Sequence, residues 1–563
     1  MDRDEILASL KHDPELSVLI VGGGINGIGV FRDLALNGVD VLLVERGDFC
    51  SGASAASSHM AHGGIRYLEN GEFRLVREAV NERNRLIQNA AHLVKPLPTT
   101  IPIFKKYSGL LNAPLKFLGW LDRPSERGAL VIKLGLLLYD AFTGGARVVP
   151  PHRFLSRRAS LARWSKLNPQ IVATATYFDG AILSPERLAL ETLLDAEAEG
   201  LHARALNYVS FAQAGGASVT LRDELTDETF KVRPKLVINA AGAWIDPVNA
   251  EMGHSTRFIG GTKGSHLVLA HDELRHAIGE NEFFFENEDG RIVLIFPLFD
   301  RVLVGTSDLP IANPDEARCT DNEIEYFLGM IRRVFPQITV GREHIVFAFS
   351  GVRPLAYSGP KSTAQITRDH SLQVLSGSWT GLNFPIYSLV GGKWTTFRAF
   401  AEQVTDKALA HLGLQRRLNT RELSIGGGRG YPRSPEDRNQ QIEALAAWTG
   451  LPAARVQVLF ARYGTRAEQV AGFIGRAPDQ ALDSLPAYSR REIGFLAANE
   501  KVMRLDDLVL RRTLLAMLGQ LMRPAVDELA DSVGEALAWD ADRKKAEAAR
   551  LLSILADRHG VRL

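Results

Sequence analysis

Apolar and polar positions alternate along this chain in three regimes. Residues 18–21, Val-Leu-Ile-Val, are apolar without a break, the pattern of a parallel strand covered on both faces. A glycine-rich turn follows, then a helical pattern over 28–37 that Gly38 stops, then a second apolar run over 41–44 ending in Glu45. Residues 72–89 return to helical spacing, with Phe73, Val76 and Val80 on the apolar side. Arg74, Arg77, Arg83 and Arg85 then read as its solvated face. The middle of the chain is strand-like. Residues 179–200 read as a strand edge, a turn at Pro185 and a helix, and 209–232 alternate through a Gly215-Gly216 turn. Residues 291–296 and 301–304 flank a short turn at 298–300, so 256–350 predict an antiparallel sheet. A short strand is expected at 372–375. After the linker Gly426-Gly-Gly-Arg-Gly-Tyr-Pro432 the period becomes helical, with candidates at 442–448, 453–463, 490–499, 507–521 and 541–557.

The first of these patterns carries chemistry. In Gly22-Gly-Gly24-Ile-Asn26-Gly27, Gly22 permits a tight turn and Gly24 lets backbone approach a pyrophosphate. Gly27 lets helix and strand pack closely. The helix start offers N–H groups and partial positive charge to phosphate. Glu45, at the end of the second strand, is placed to accept from ribose hydroxyls. Strand, turn, helix, strand and acid occur in order, which predicts a dinucleotide site. The turn by itself does not choose between FAD and NAD.

Length and charge narrow the rest. At 563 residues the chain is too long for one core, and roughly two to four domains are expected. Lys and Arg number 66 against 65 for Asp and Glu, so no overall field favours nucleic acid. Cys50 and Cys319 are too few for a disulfide framework and show no zinc spacing, so no metal site is expected and a reducing compartment is the simplest inference. The first fifteen residues lack the apolar centre of a signal peptide. No run approaches the roughly 20 apolar residues of a spanning helix. The stretches 110–121 and 129–142 are apolar, however, and lie among Lys105, Lys106, Lys116, Arg123, Arg127 and Lys133. Such a basic amphipathic surface could rest on anionic lipid. A cytoplasmic protein attached peripherally to the membrane is therefore expected.

Past Glu45 the motifs become specific. Arg46-Gly-Asp-Phe-Cys50 leads into a loop crowded with Ser51, Ser54, Ser57 and Ser58, then His59-Met-Ala-His62-Gly63-Gly64-Ile-Arg66-Tyr67-Leu-Glu69. Far along the chain come Asn239-Ala-Ala241-Gly242-Ala-Trp244, Lys263-Gly264-Ser265-His266 and Gly305-Thr306-Ser307-Asp308. Ser350-Gly-Val-Arg353-Pro-Leu355, Ile366-Thr-Arg368-Asp369 and Gly391-Gly392-Lys393-Trp394-Thr395-Thr396 complete the series. This set, spanning 18 to about 400 in order, resembles the FAD-dependent glycerol-3-phosphate dehydrogenases of the D-amino-acid-oxidase-like superfamily. The sequence departs from that family at His59, often Lys or Arg there, and at Trp394, often Leu.

The resemblance implies an α/β fold. A Rossmann-type FAD-binding domain, made of 1–100, 176–255 and 351–410, would carry an inserted antiparallel-sheet substrate domain. Residues 101–175 and 256–350 would form that substrate-binding and membrane-facing region, and 425–563 a C-terminal helical domain, for packing or dimer support. Arg511-Arg512, after Asp506-Asp507, resembles the family's C-terminal cap. The cofactor implied is FAD, held by Gly22, Gly24, Asn26, Gly27, Glu45, Arg46, Ser54, Ser57, Ser58, His62, Gly63, Gly64, Ala241, Gly242, Trp244, Asp308, Gly392, Lys393, Thr395 and Thr396. The implied substrate is sn-glycerol 3-phosphate, and ubiquinone or menaquinone would take the electrons.

Residue chemistry assigns the remaining roles. A dianionic phosphate calls for planar, bidentate donors, so Arg353 and Arg368 come first and Arg66 next. His62 is the leading general base, because a neutral imidazole can take the C2 hydroxyl proton. His266 is the second base candidate and a substrate contact. Lys393 could stabilise developing negative charge. Three rivals stand beside this reading: an oxidase that uses O2, an amino-acid-type flavin oxidase, and a non-catalytic flavoprotein.

Overall fold

The computed structural model describes residues 2–65, 72–106, 128–142, 148–286, 292–357, 369–376 and 381–563. Arg66, Arg368, the 110–121 stretch, Lys116, Arg123 and Arg127 lie outside the described residues.

Two sheets organise the N-terminal four hundred residues. In the first, Glu15–Val21 sits centrally, parallel to Val41–Glu45 on one side and to Thr229–Asn239 on the other. Ala203–Asn207 extends one edge in parallel, and Ile386–Val390 extends the other. Ser371–Leu375 closes that edge antiparallel to Ile386–Val390. The central stretches 18–21, 41–44 and 236–238 are apolar and buried because helices cover them: Ile25–Leu36 packs between Pro185–Glu199 and Phe397–His411. The expected alternation over 209–232 is an antiparallel hairpin, Val209–Gly215 with Ser218–Asp223, appended to Thr229–Asn239.

The second sheet is mostly antiparallel and holds the expected hairpin, Ile292–Leu298 with Arg301–Gly305. It takes more of the chain than the sequence reading assigned. Val94–Ile103 pairs along its whole length with Ala173–Ile182, and Met60–Ala61 pairs with that same strand. Ile345–Arg353 pairs with Thr262–Leu269. The expected boundaries at 100, 176 and 351 therefore cut through strands. The chain crosses between sheets inside the loop after Glu45 and again at Ile182, where no glycine or proline cluster marks the passage.

The C-terminal helices include Pro435–Thr449, Ala453–Tyr463, Arg490–Asn499 and Ala541–His559, near their expected positions. Ala467–Ile474 and Arg523–Ala536 were not anticipated. Their core is continuous with Leu97, Phe296, Phe347 and Phe349 on one face of the second sheet. The continuous helix expected over 507–521 is not formed. Leu505–Asp507 passes into a wide π-type turn, Leu508–Arg512, and then ends. The reason is electrostatic. Neighbouring side chains on a regular helix diverge by about 100°, yet here Arg511 and Arg512 both grip one buried carboxylate. Arg511 Nε donates to Asp48 Oδ2 at 2.5 Å, and Arg512 donates to Asp48 Oδ2 at 2.6 Å and Oδ1 at 2.9 Å. The C-terminal domain thus holds the loop that follows Glu45, beyond the packing role expected of it. Arg83 also departs from expectation. It is fully buried, not part of the solvated face, while Arg74 and Arg77 are exposed.

Burial pushes the Asp48 pKa up, but the charges and hydrogen bonds of Arg512 and Arg511 outweigh it and hold the carboxyl down to about 2. A depressed folded-state pKa gives stability that is complete above the ordinary carboxylate range and is lost as pH falls through about 2. Asp48→Ala leaves the buried Arg512 guanidinium without a carboxylate and Arg511 with only Asp506 and Asp507, and is expected to cost about 3–5 kcal/mol. A denaturant titration at neutral pH measures it, and the difference from wild type should shrink as pH falls below about 4.

Candidate functional site

The glycine turn has the close approaches its pattern requires. Gly22 has φ +114°, and a Cβ there would lie 2.6 Å from Ala240 C. A Cβ on Gly27 would lie 2.0 Å from Gly22 O. Gly24 caps the helix Ile25–Leu36 and gives no side-chain cap, a helix start that suits an anionic group. Ser54 Oγ accepts from Ile25 N–H at 2.9 Å. Glu45 turns its carboxylate back onto this turn: Gly23 N–H donates to Oε2 at 2.7 Å and Gly47 N–H to Oε1 at 2.9 Å. Beside it, Arg46 lies over the Trp244 ring at 4.4 Å and pairs with Asp315 at 2.6 Å. Trp244 belongs to the turn Gly242–Trp244 that follows Thr229–Asn239, and Ala241 N–H is fixed by Asn239 Oδ1 at 3.2 Å.

The hydroxyl loop is tied to the Gly391–Thr396 segment. Trp394 Nε1 donates to Ser54 O at 2.9 Å. His62 N–H donates to Thr395 Oγ1 at 3.0 Å, and Asn26 Nδ2 donates to Gly391 O at 3.0 Å. Gly392, with φ +93°, leaves room for Asn26, whose Nδ2 would be 2.3 Å from a Cβ there. Trp394 is buried, and its indole edge meets Phe397. Lys393 is half-buried beside these contacts. Thr396 is buried, and its Oγ1 has no hydrogen-bond partner among the described residues; the same holds for Trp244 Nε1 and Asn26 Oδ1. Glycines whose Cβ positions are filled, together with orphaned polar atoms, suit a dinucleotide with a polar ring system. Among the described residues no cluster could hold a metal ion.

The second sheet presents its chemistry to the same loop. Ser58 Oγ and His266 Nε2 are 2.9 Å apart, and His266 stacks on Phe349 at 4.9 Å. Burial first, then the Arg353 charge and His59, push the His266 pKa well below the usual histidine value, so the ring is neutral. Arg353 lies against Gly264, where a Cβ would be 2.3 Å from Nη2. It donates to Asp308 at 3.1 Å, Thr306 Oγ1 at 2.7 Å and Ser307 O at 3.0 Å. Asp308, expected among the flavin contacts, is therefore placed as the partner of Arg353. Gly351 packs on Ala56, which seats the strand ending in Arg353 on the hydroxyl loop. Beneath, Glu323 accepts from Ser265, Ser307 and Lys263, so Lys263 is structural. Ser57 Oγ accepts from His59 N–H at 3.3 Å. His59 is wholly buried at φ +55°, and burial lowers its pKa to about 4.

Comparison with known proteins agrees with this geometry. The FAD dependent oxidoreductase family matches residues 17–406, and the C-terminal domain of alpha-glycerophosphate oxidase matches 418–544. A glycerol-3-phosphate dehydrogenase of Synechocystis is 34% identical over 536 residues, covering 90% of this chain and 91% of that protein. The chain belongs to the FAD-dependent glycerol-3-phosphate dehydrogenase family. A D-erythritol 1-phosphate dehydrogenase of Brucella abortus is 30% identical, covering 89% of this chain and 95% of the relative. The fold is that of the Bacillus halodurans glycerol-3-phosphate dehydrogenase solved with FAD, with TM-score 0.76 and 23% identity over 98% of this chain and 97% of that one.

In this family member FAD is the cofactor. Three supports escaped the sequence reading: Asp179, which accepts the Gly63 amide; Asp48, held by Arg511 and Arg512; and Glu323. Only Asp179 left a signal, as the one charged residue in the strand Ala173–Ile182. Gly22→Ala should fold and lose FAD, because the added methyl must displace the Ala240 backbone. The flavin-to-protein absorbance ratio measures this, and full flavin content in Gly22→Ala would contradict it.

Proposed function

We propose that this protein oxidises sn-glycerol 3-phosphate to dihydroxyacetone phosphate and delivers the electrons to a membrane quinone. The observation that carries the reading is the 2.9 Å contact between Ser58 and His266. It brings the Arg353 and His266 cluster of the second sheet against the hydroxyl loop of the flavin half. FAD, when bound, would supply the two-electron acceptor for the hydride lost from C2.

The chain's own residues do the rest. Arg353, oriented by Asp308 and Thr306, anchors the phosphate. A neutral imidazole takes the C2 hydroxyl proton. His62 is half-buried and pinned through its backbone by Thr395, which suits it to that role. His266 is the alternative base, favoured by its neutral state and its bond to Ser58. Lys393 stabilises negative charge that builds up during the transfer. The names of the relatives support a polyol phosphate as the substrate class.

The choice of quinone rests on the helix Ala129–Phe142. Leu130, Leu134, Leu137 and Leu138 are 52%, 61%, 51% and 45% exposed, a contiguous apolar face at helical spacing. Lys105, Lys106 and Lys133 stand exposed around it, and Lys105 O accepts the Ala129 amide. No single helix among the described residues is long and apolar enough to cross a membrane. This reading therefore has the protein lying on the cytoplasmic face of an anionic bilayer, leucines inward. The second reading, an oxidase using O2, draws on the oxidase C-terminal domain that 418–544 match.

Anaerobic sn-glycerol 3-phosphate should bleach the flavin absorbance, and D-erythritol 1-phosphate serves as the comparison. Persistent yellow colour with the first compound refutes the substrate assignment. Arg353→Ala should lower kcat/KM by about 1.5–3 kcal/mol equivalent, the worth of a charged hydrogen bond. His62→Gln and His266→Gln identify the base, as the one that abolishes proton uptake removes the rate. Quinone reduction in place of peroxide release decides the acceptor.

Flotation with anionic phospholipid vesicles tests the membrane face. Leu134→Gln/Leu137→Gln should leave the protein in the soluble fraction with its bleaching reaction intact. Unchanged flotation of that variant overturns the assignment of this face.

A further inference from the structure

Behind His62 lies a buried polar cluster that the reaction as described does not use. Asp179 Oδ1 accepts from Gly63 N–H at 2.9 Å, from Tyr139 Oη at 2.9 Å and from Arg83 Nη1 at 3.2 Å. Arg83 Nη1 also donates to Tyr139 Oη at 2.8 Å and to Phe178 O at 2.7 Å. All three side chains are buried, with Arg83 and Asp179 at 0% and 1% exposure. They come from separate elements. Arg83 is on Phe73–Asn89, Asp179 is in the second sheet, and Tyr139 is in the last turn of the helix that carries the exposed leucines.

The cluster bears on one peptide group. A Cβ on Gly63 would lie 1.9 Å from Tyr139 Oη, so the hydroxyl occupies the space that any other residue would need. On the other side, His62 N–H is held by Thr395 Oγ1 at 3.0 Å. Two consecutive amides are therefore fixed from opposite directions, one by the flavin-binding segment and one by Asp179. The Cα–Cβ bond of His62 is set by that fixed backbone.

We propose that Tyr139 is a positioning residue for the dehydrogenase reaction. Through Asp179 its hydroxyl sets the His62–Gly63 peptide, and it couples that peptide to the outer helix Ala129–Phe142. The inference rests on the dehydrogenase reading above for its assay. A misplaced reacting geometry costs rate more than binding, commonly by about tenfold to a hundredfold.

Tyr139→Phe keeps the ring against Leu75, Val76 and Val80 and removes only the hydroxyl. The holoenzyme variant should retain FAD and an unchanged KM, show altered flavin absorption bands, and lose about tenfold or more in kcat. Leu136→Ala is the control. Leu136 is buried on the same helix in the same cluster, without a part in the hydrogen bonds. It should lower Tm and leave kcat in place. A wild-type kcat in Tyr139→Phe, or an equal kcat loss in Leu136→Ala, overturns the proposal. The flavin separates the two kinds of failure. Wild type that glycerol 3-phosphate does not bleach counts against the substrate reading, and equal bleaching rates in both proteins count against Tyr139. Should Tyr139→Phe not accumulate, native-state hydrogen exchange on wild-type holoenzyme decides. The Gly63 amide and the amides of Ala129–Phe142 should open together, and independent opening overturns the coupling.

Discussion

A partly buried loop is stable only when its buried polar groups find partners, and the segment from Glu45 to Gly64 is such a loop. It holds no regular element except the two-residue strand Met60–Ala61. Its partners come from the whole length of the protein. Asp48 is taken by Arg511 and Arg512, Ser54 by Ile25 and Trp394, and Ser58 by His266. His62 is taken by Thr395 and Gly63 by Asp179. The flavin half, the second sheet and the helical domain thus converge on one stretch of chain. Displacing any of them leaves a buried donor or acceptor unpaired, at about 1–3 kcal/mol each.

This constraint explains how the site combines rigidity with open chemistry. Charges that need no contact with substrate are paired and buried: Asp48 with two arginines, Asp179 with Arg83, Glu323 with Lys263. Groups given substrate or flavin roles lie between these anchors, on the half-buried surface at His62, Arg353 and Lys393. The anchors preorganise the groups between them, so little reorganisation is left for the reaction. The helix with the leucine face is part of this frame, since its last turn delivers Tyr139 to Asp179.

Much of this was legible in the chain. Local periodicity and turn chemistry gave the nucleotide-binding unit, because strand 15–21, Gly22, Gly24, Gly27, the helix and Glu45 are contiguous and each acts on its neighbours. Motif content gave the flavin and the family, which the family match over 17–406 bears out. What stayed hidden were pairings between residues far apart in sequence. Arg83 sits at ordinary helical spacing among exposed arginines, and its burial depends on Asp179, 96 residues away. Helical periodicity over 507–521 was read as one helix, and the need of Arg511 and Arg512 to reach Asp48 widened it into a turn. The domain boundaries failed for the same reason. A strand's own sequence does not say which of two sheets it will join.

The sequence alone therefore determined the nucleotide-binding strand–turn–helix–strand unit, the cofactor class and the set of candidate residues. Those follow from conformational preference and contiguous chemistry. Tertiary structure alone decided which candidates face the hydroxyl loop, which charges are buried supports, and that Asp308 serves Arg353. Burial and hydrogen-bond partnership are properties of pairs brought together by folding, and no local pattern encodes the second member of a pair hundreds of residues away.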